Sequence, residues 1–88
     1  MSSDWTLWVY RIPVDGMPKL WDVRSMSPGH TSITAAQFLQ KSVKAKLAEV
    51  SDINAENGVK YMGISSTTGL CVGVASVVAD IRVDLEHQ

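Results

Sequence analysis

Cysteine and histidine are the side chains best suited to nucleophilic or metal chemistry at neutral pH, and this chain has one cysteine, Cys71, and two histidines, His30 and His87. Cys71 sits at the centre of Gly69-Leu70-Cys71-Val72-Gly73, the outline of a nucleophile elbow. That turn needs a strand before it, a helix after it, and a histidine and an acid brought in from elsewhere. Folds that host it are much larger than 88 residues, and the stretch after Cys71 is rich in valine. The segment therefore reads as a strand crossing a crowded sheet, with glycines for close approach and a thiol behaving as a small hydrophobe. A small cysteine-dependent enzyme using Cys71 and His30 ranks third among the functions considered, and the chain reads as a non-enzyme.

Metal and phosphate chemistry have less to stand on. One cysteine and two distant histidines offer no ligand pair at zinc spacing. Asp80, Asp84 and Glu86 form an acidic row, but Arg82 interrupts it and the glycine of a calcium loop is missing, so a solvated strand face is the default. Ser65-Ser66-Thr67-Thr68-Gly69 is a hydroxyl-rich turn of the kind that can cradle a phosphate through its N–H groups. No Gly-Lys-Ser/Thr follows and no helix N-terminus is predicted there, so a hairpin turn is the expectation. No cofactor is implied.

Aromatic residues carry the remaining signal. Trp5, Trp8 and Trp21 lie in or beside one predicted hairpin, together with Tyr10. A domain this small needs some of them as core, yet three tryptophans on one hairpin exceed what a thin core requires. Exposed aromatics anchor protein interfaces and also stack on unpaired bases. Arg11, Lys19, Arg24, Lys41 and Lys44 could meet phosphates, but Asp4, Asp15 and Asp22 offset the charge of the hairpin, which makes nucleic acid the weaker of the two.

These residues must be positioned by a few elements. Trp5 to Ile12 is aromatic or β-branched in the main and reads as a strand, with Trp8, Tyr10 and Ile12 on one face. Pro13-Val14-Asp15-Gly16-Met17-Pro18 supplies turn chemistry, and Lys19 to Met26 returns as a second strand with Trp21 and Val23 on one side and Asp22 and Arg24 on the other. Ser27-Pro28-Gly29-His30 ends the hairpin. A helix follows from Ala35 to about Val50, with Thr34 as N-cap, Gln37 completing a capping box, and Ile33 and Phe38 as a hydrophobic staple. Ala36, Leu39, Val43, Leu47 and Val50 recur at three and four, so one stripe faces the core while Lys41, Lys44, Lys46 and Glu49 face water. The helix could run on to Asn57, since Gly58 suits the position after a C-terminus.

Val59 to Ser65 reads as a strand, Ser66 to Gly69 as a turn, and Leu70 onward as a last strand. Residues at odd positions from Cys71 to Leu85 are all small or apolar, while even positions change from Leu70, Val72, Val74, Ser76 and Val78 to Asp80, Arg82, Asp84 and Glu86. A strand covered on both faces and then on one gives this pattern, and β-branched residues disfavour the helical alternative. Extended, residues 70–86 span roughly 55 Å at about 3.3 Å each. A chain of this length has a diameter of about 30 Å. The strand must bend near Ala75-Ser76, break in two, or project as an edge that another chain can pair with.

Composition sets the frame. The 88 residues suffice for one domain, 1–88, with one core. Apolar residues make up 45% and the net charge is -1, which argues against disorder and against a global field for nucleic acid or anionic lipid. A single cysteine points to a reducing, cytoplasmic setting, and neither a signal peptide nor a membrane-spanning run is evident. The expected fold is α+β, an antiparallel sheet of about four strands in ββαββ order with one helix on a face. The expected function is that of a non-enzymatic interaction protein: a small adaptor, regulatory subunit or inhibitor. It would bind another protein or a second copy of itself through Trp5, Trp8 and Trp21 and through Asp80, Arg82 and Asp84 of the C-terminal strand. The alternative is a weak single-stranded nucleic-acid binder using the hairpin tryptophans and the helix lysines.

Overall fold

The first two strands form where the β-branched and aromatic runs lie, β1 at Trp5–Ile12 and β2 at Lys19–Met26, joined through the proline-flanked turn in which Gly16 takes φ +132°. The computed structural model describes residues 4–78 and 82–86. Helix α1 spans Ser32–Leu47, a short 3-10 turn spans Ile53–Glu56, and three further strands follow: β3 (Lys60–Ser65), β4 (Cys71–Val78) and β5 (Arg82–Glu86). All five strands pair antiparallel in the order β2-β1-β3-β4-β5, and α1 lies across β3, β4 and β5 on one face. The fold is α+β, with five strands rather than about four.

The additional strand comes from the valine-rich C-terminus. It is extended, as its pattern predicts, but it is not one long strand. β4 and β5 pair with each other, with Val77 opposite Val83, so the chain folds back between Val78 and Arg82. A molecule whose longest dimension is 45 Å has no place for an uninterrupted 55 Å run, and folding back satisfies β4 on both edges. The described residues thus show no projecting strand. What remains is an ordinary sheet edge on β5.

Helix α1 starts earlier than its strongest sequence signal. Thr31, not Thr34, is the N-cap: its Oγ1 accepts from the Thr34 N–H at 3.2 Å. With the start moved back three residues, Ile33 falls on the outer surface and forms no staple, while Phe38 packs edge-on against His30 at 5.2 Å between centroids. The helix closes at Leu47 with Lys44 and Lys46 in its last turn, where cations suit the dipole. Val50 lies beyond it and is exposed. Gly58, at φ +88°, follows the 3-10 turn instead of ending a long helix.

The core lies between α1 and one face of the sheet. Ala35, Leu39, Val43 and Leu47 meet Leu7, Val9, Met26, Tyr61, Val72, Ala75, Val77 and Val83. Gly63 lets the side chains of β1 and β4 close over β3: a Cβ there would stand 3.1 Å from Val72 Cγ2 and 3.2 Å from Leu7 Cδ1, with Leu39 Cδ2 of α1 in ordinary contact at 3.6 Å. Two bulges tune the faces. Trp21 is an extra residue where β2 opposes Val9, and Val72 an extra residue where β4 passes Gly63 and Ile64. The first bulge overturns the expected grouping of Trp21 with Val23. Trp21 turns to the helix side, 4.7 Å from the Tyr61 ring, while Val23 stays on the opposite face.

Candidate functional site

Antiparallel partners share a face, so the register shows what the helix leaves uncovered. Trp8 stands opposite Val23 on β2 and Ile64 on β3, and Ile64 stands opposite Cys71 on β4. One step along the strands, Tyr10 is flanked by Leu20 and Met62, and Met62 by Val74. Ile12, Lys60, Ser76 and Asp84 make a third row. Across β2, β1, β3 and β4 the first two rows are free of charge, the second continuing to Glu86 on β5, and none of their residues on those four strands belongs to the helix-side core. Leu20 and Val23 are 55% and 53% exposed and Trp8 36%, while Val74 is covered by its neighbours. Among the described residues, the sheet therefore has a second apolar layer with nothing packed on it. Ser76 Oγ, on the same face, is buried without a hydrogen-bond partner among the described residues.

The three tryptophans divide between the faces. Trp8 alone stands on the open face. Trp21 is half-buried against Tyr61, and Trp5 packs at the core margin while its indole N–H donates to the Ser27 carbonyl at 3.1 Å. Of the C-terminal candidates, Asp84 is exposed in β5 opposite Ser76 and Arg82 is paired with Val78, whereas Asp80 lies outside the described residues. Because Val77 uses its N–H and C=O toward Val59 and Gly58, its partner Val83 must direct its own groups to the free side of β5. Gln40 of α1 reaches over and donates to that Val83 carbonyl at 3.3 Å, which blunts the edge. The other edge is guarded by the Trp21 bulge and by Asp22, whose carboxylate accepts from the Val23 N–H at 2.9 Å.

A second feature is a shallow cleft of about 610 Å³ where the helix N-terminus, at Thr31 and Ser32, meets the Ser65–Thr68 turn, with Asp4, Trp5 and His30 at its walls. The sequence did not place a helix start beside that turn; the fold does. The hydroxyls, however, already serve the backbone around them. Ser66 Oγ accepts from the Thr6 N–H at 2.8 Å, Ser65 Oγ from the Thr67 N–H at 3.2 Å, and Thr68 Oγ1 from the Leu70 N–H at 3.2 Å. Asp4 adds a like charge against any anion. The His30 Nδ1 accepts from the Ser27 N–H at 3.0 Å and holds the turn into the helix.

On the helix side, Arg11, Glu56 and Tyr61 form a small polar cluster. Arg11 Nη2 lies 3.1 Å from Glu56 Oε2, and the Tyr61 hydroxyl donates to the same oxygen at 3.3 Å. Burial opposes the Arg11 charge, but its bonds to Glu56 and Tyr61 prevail and hold its pKa above the ordinary value. Burial pushes the Tyr61 phenol up, against the pull of Arg11. The cluster ties the 3-10 turn to β1 and β3. Cys71 is half-buried on the open face, its thiol donating to the Gly73 carbonyl at 3.3 Å, and it is not among the residues lining the cleft that holds His30. No group of three metal-ligating side chains occurs among the described residues. Nor is any described helix long and apolar enough to cross a membrane.

Comparison with family models, with curated proteins and with solved structures finds no match to this chain.

Proposed function

We propose that this chain is a non-enzymatic protein-interaction domain that docks its partner on the uncovered face of the sheet. One observation carries the reading: Trp8, Leu20 and Val23 are exposed together on the face that the helix does not cover, in rows without charge across β2, β1, β3 and β4. A five-stranded sheet with a helix on one side leaves its other side to water, and evolution of a free domain would place polar residues there. Apolar side chains exposed side by side, unlike scattered ones, mark sites of association. The tryptophan is the residue type most often found at the energetic centre of an interface. Nucleic acid is disfavoured by the same geometry, because Trp8 stands on the face away from α1 and its lysines.

The test is a contrast between wild type and a Leu20→Glu/Val23→Glu variant. Both positions are more than half exposed, so the fold tolerates the charges. Immobilised wild type is offered extract from the native host and, separately, labelled copies of itself. Whatever wild type retains, the variant releases, while its circular dichroism and melting are unchanged. Equal retention by the two would contradict the reading.

A further inference from the structure

We propose that the occupant of the open face is a second copy of this chain, packed sheet against sheet about a two-fold axis that runs along the strands between β1 and β3. The inference rests on the reading of this face as a docking surface and adds the identity of the partner. The register lays two uncharged rows across β2, β1, β3 and β4: Val23–Trp8–Ile64–Cys71 and Leu20–Tyr10–Met62–Val74. Rotation about that axis exchanges β1 with β3 and β2 with β4, so each row meets its own reverse. Trp8 falls on Ile64, Val23 on Cys71, Tyr10 on Met62 and Leu20 on Val74. In every one of these pairs a larger side chain faces a smaller or more pliable one, which is what interdigitating layers require. The surface is complementary to itself, as an isologous interface must be.

Charge and area agree with this arrangement. The overlap leaves β5 outside, so the exposed Asp84, and Glu86 opposite Val74, stand beyond its edge. The exposed Lys60, first residue of β3, falls with Ile12 at one end of the overlap, at a solvated rim where interfaces keep their charges. Four strands at about 4.8 Å and eight residues at about 3.3 Å, the two uncharged rows with the rim rows of Thr6 and Ile12 at either end, give a flat footprint of roughly 500 Å² per copy. Two copies thus bury about 1,000 Å² before side-chain relief is added, the threshold that separates specific interfaces from incidental contacts.

Sedimentation of the full chain over a wide concentration range tests the proposal together with one cross-link. Wild type is expected at twice the mass of the 88-residue chain, and the Leu20→Glu/Val23→Glu variant at the mass of one chain with its melting unchanged. Val23→Cys places a second thiol where Cys71 of the other copy lies. A short bifunctional thiol reagent should then give a covalent dimer, lost when Cys71→Ser is added. Within one chain these positions are three strands apart, about 14 Å, and a link there leaves the mass unchanged. Wild type at single-chain mass throughout overturns the second copy, and the face reading then stands or falls on the extract contrast alone. A double mass that survives Leu20→Glu/Val23→Glu puts the dimer elsewhere and overturns the second copy on this face, with the face reading again left to the extract contrast. A dimer that Val23→Cys fails to link through Cys71 overturns the axis.

Discussion

Gly63→Ala is the sharpest probe of how tightly the side chains of β1 and β4 close over β3 beneath α1. The added methyl would stand 3.1 Å from Val72 Cγ2 and 3.2 Å from Leu7 Cδ1, with Leu39 Cδ2 at 3.6 Å. The first two distances are several tenths of an ångström inside ordinary carbon contact, which begins near about 3.5 Å. Leu7 and Leu39 are fully buried and Val72 nearly so. Val72 is also β-branched and held in a bulge, so it has few rotamers to retreat into. Overpacking of this kind costs about 1–3 kcal/mol. Losing glycine's freedom in the unfolded chain returns about 0.4–1 kcal/mol. The net loss is about 1–2 kcal/mol, or roughly 5–15 °C in Tm for a domain of this size. Urea and thermal melts of Gly63→Ala measure it. Val72→Ala opens a cavity of its own, and in the double variant that cavity takes up the new methyl, so the two losses add to less than their sum. Gly63→Ala at or above wild-type stability, or strict additivity, would refute the packing described for this site.

Other consequences follow from single contacts. Thr31→Ala should lower stability by about 1 kcal/mol through loss of the helix cap, and Thr34→Ala by clearly less, as read in urea melts. Gly69 takes φ +72° with open space around it, so Gly69→Ala costs about 1 kcal/mol from backbone strain alone, while Gly29→Ala, with no neighbour within 4 Å, is close to neutral in the same assay. Burial raises the Tyr61 phenol above its ordinary value of 10.0, so the folded state holds that proton more tightly than the unfolded state. This contribution is complete below pH 10 and is lost as pH climbs through the folded value, so the unfolding free energy falls there. Tyr61→Phe should flatten that alkaline decline in denaturant melts taken at rising pH, and an unchanged slope would show that Tyr61 is not its source.

Local chemistry made much of this fold legible. Both strands of the first hairpin begin and end where the aromatic and β-branched runs do, because Pro13, Gly16 and Pro18 leave no other place for the turn. The cap was harder: Thr31 and Thr34 each present a hydroxyl three residues before a polar partner, and only the packing of α1 decides between them. Period-two patterns report which residues share a face, and Trp8, Tyr10 and Ile12 do. They do not report bulges, so one extra residue carried Trp21 away from Val23. The unbroken alternation from Cys71 to Leu85 hid the reversal after Val78. The length of the run left a bend near Ala75-Ser76, a break in two and a projecting edge all open, and the pairing of β4 with β5 selects the break. The open face was invisible for a plain reason. An apolar stripe on a strand looks the same whether or not a helix covers it, and only topology shows that α1 has gone to the other side.

The central claim is that association takes place on the Trp8 face. Hydroxyl-radical footprinting tests it directly, since Trp8, Met62 and Cys71 lie on that face and Trp5 and Trp21 do not. When the chain is concentrated or given its partner, Trp8, Met62 and Cys71 should become protected while Trp5 and Trp21 keep their reactivity. Protection centred on α1 instead, with Trp8 as reactive as in the dilute chain, would contradict it.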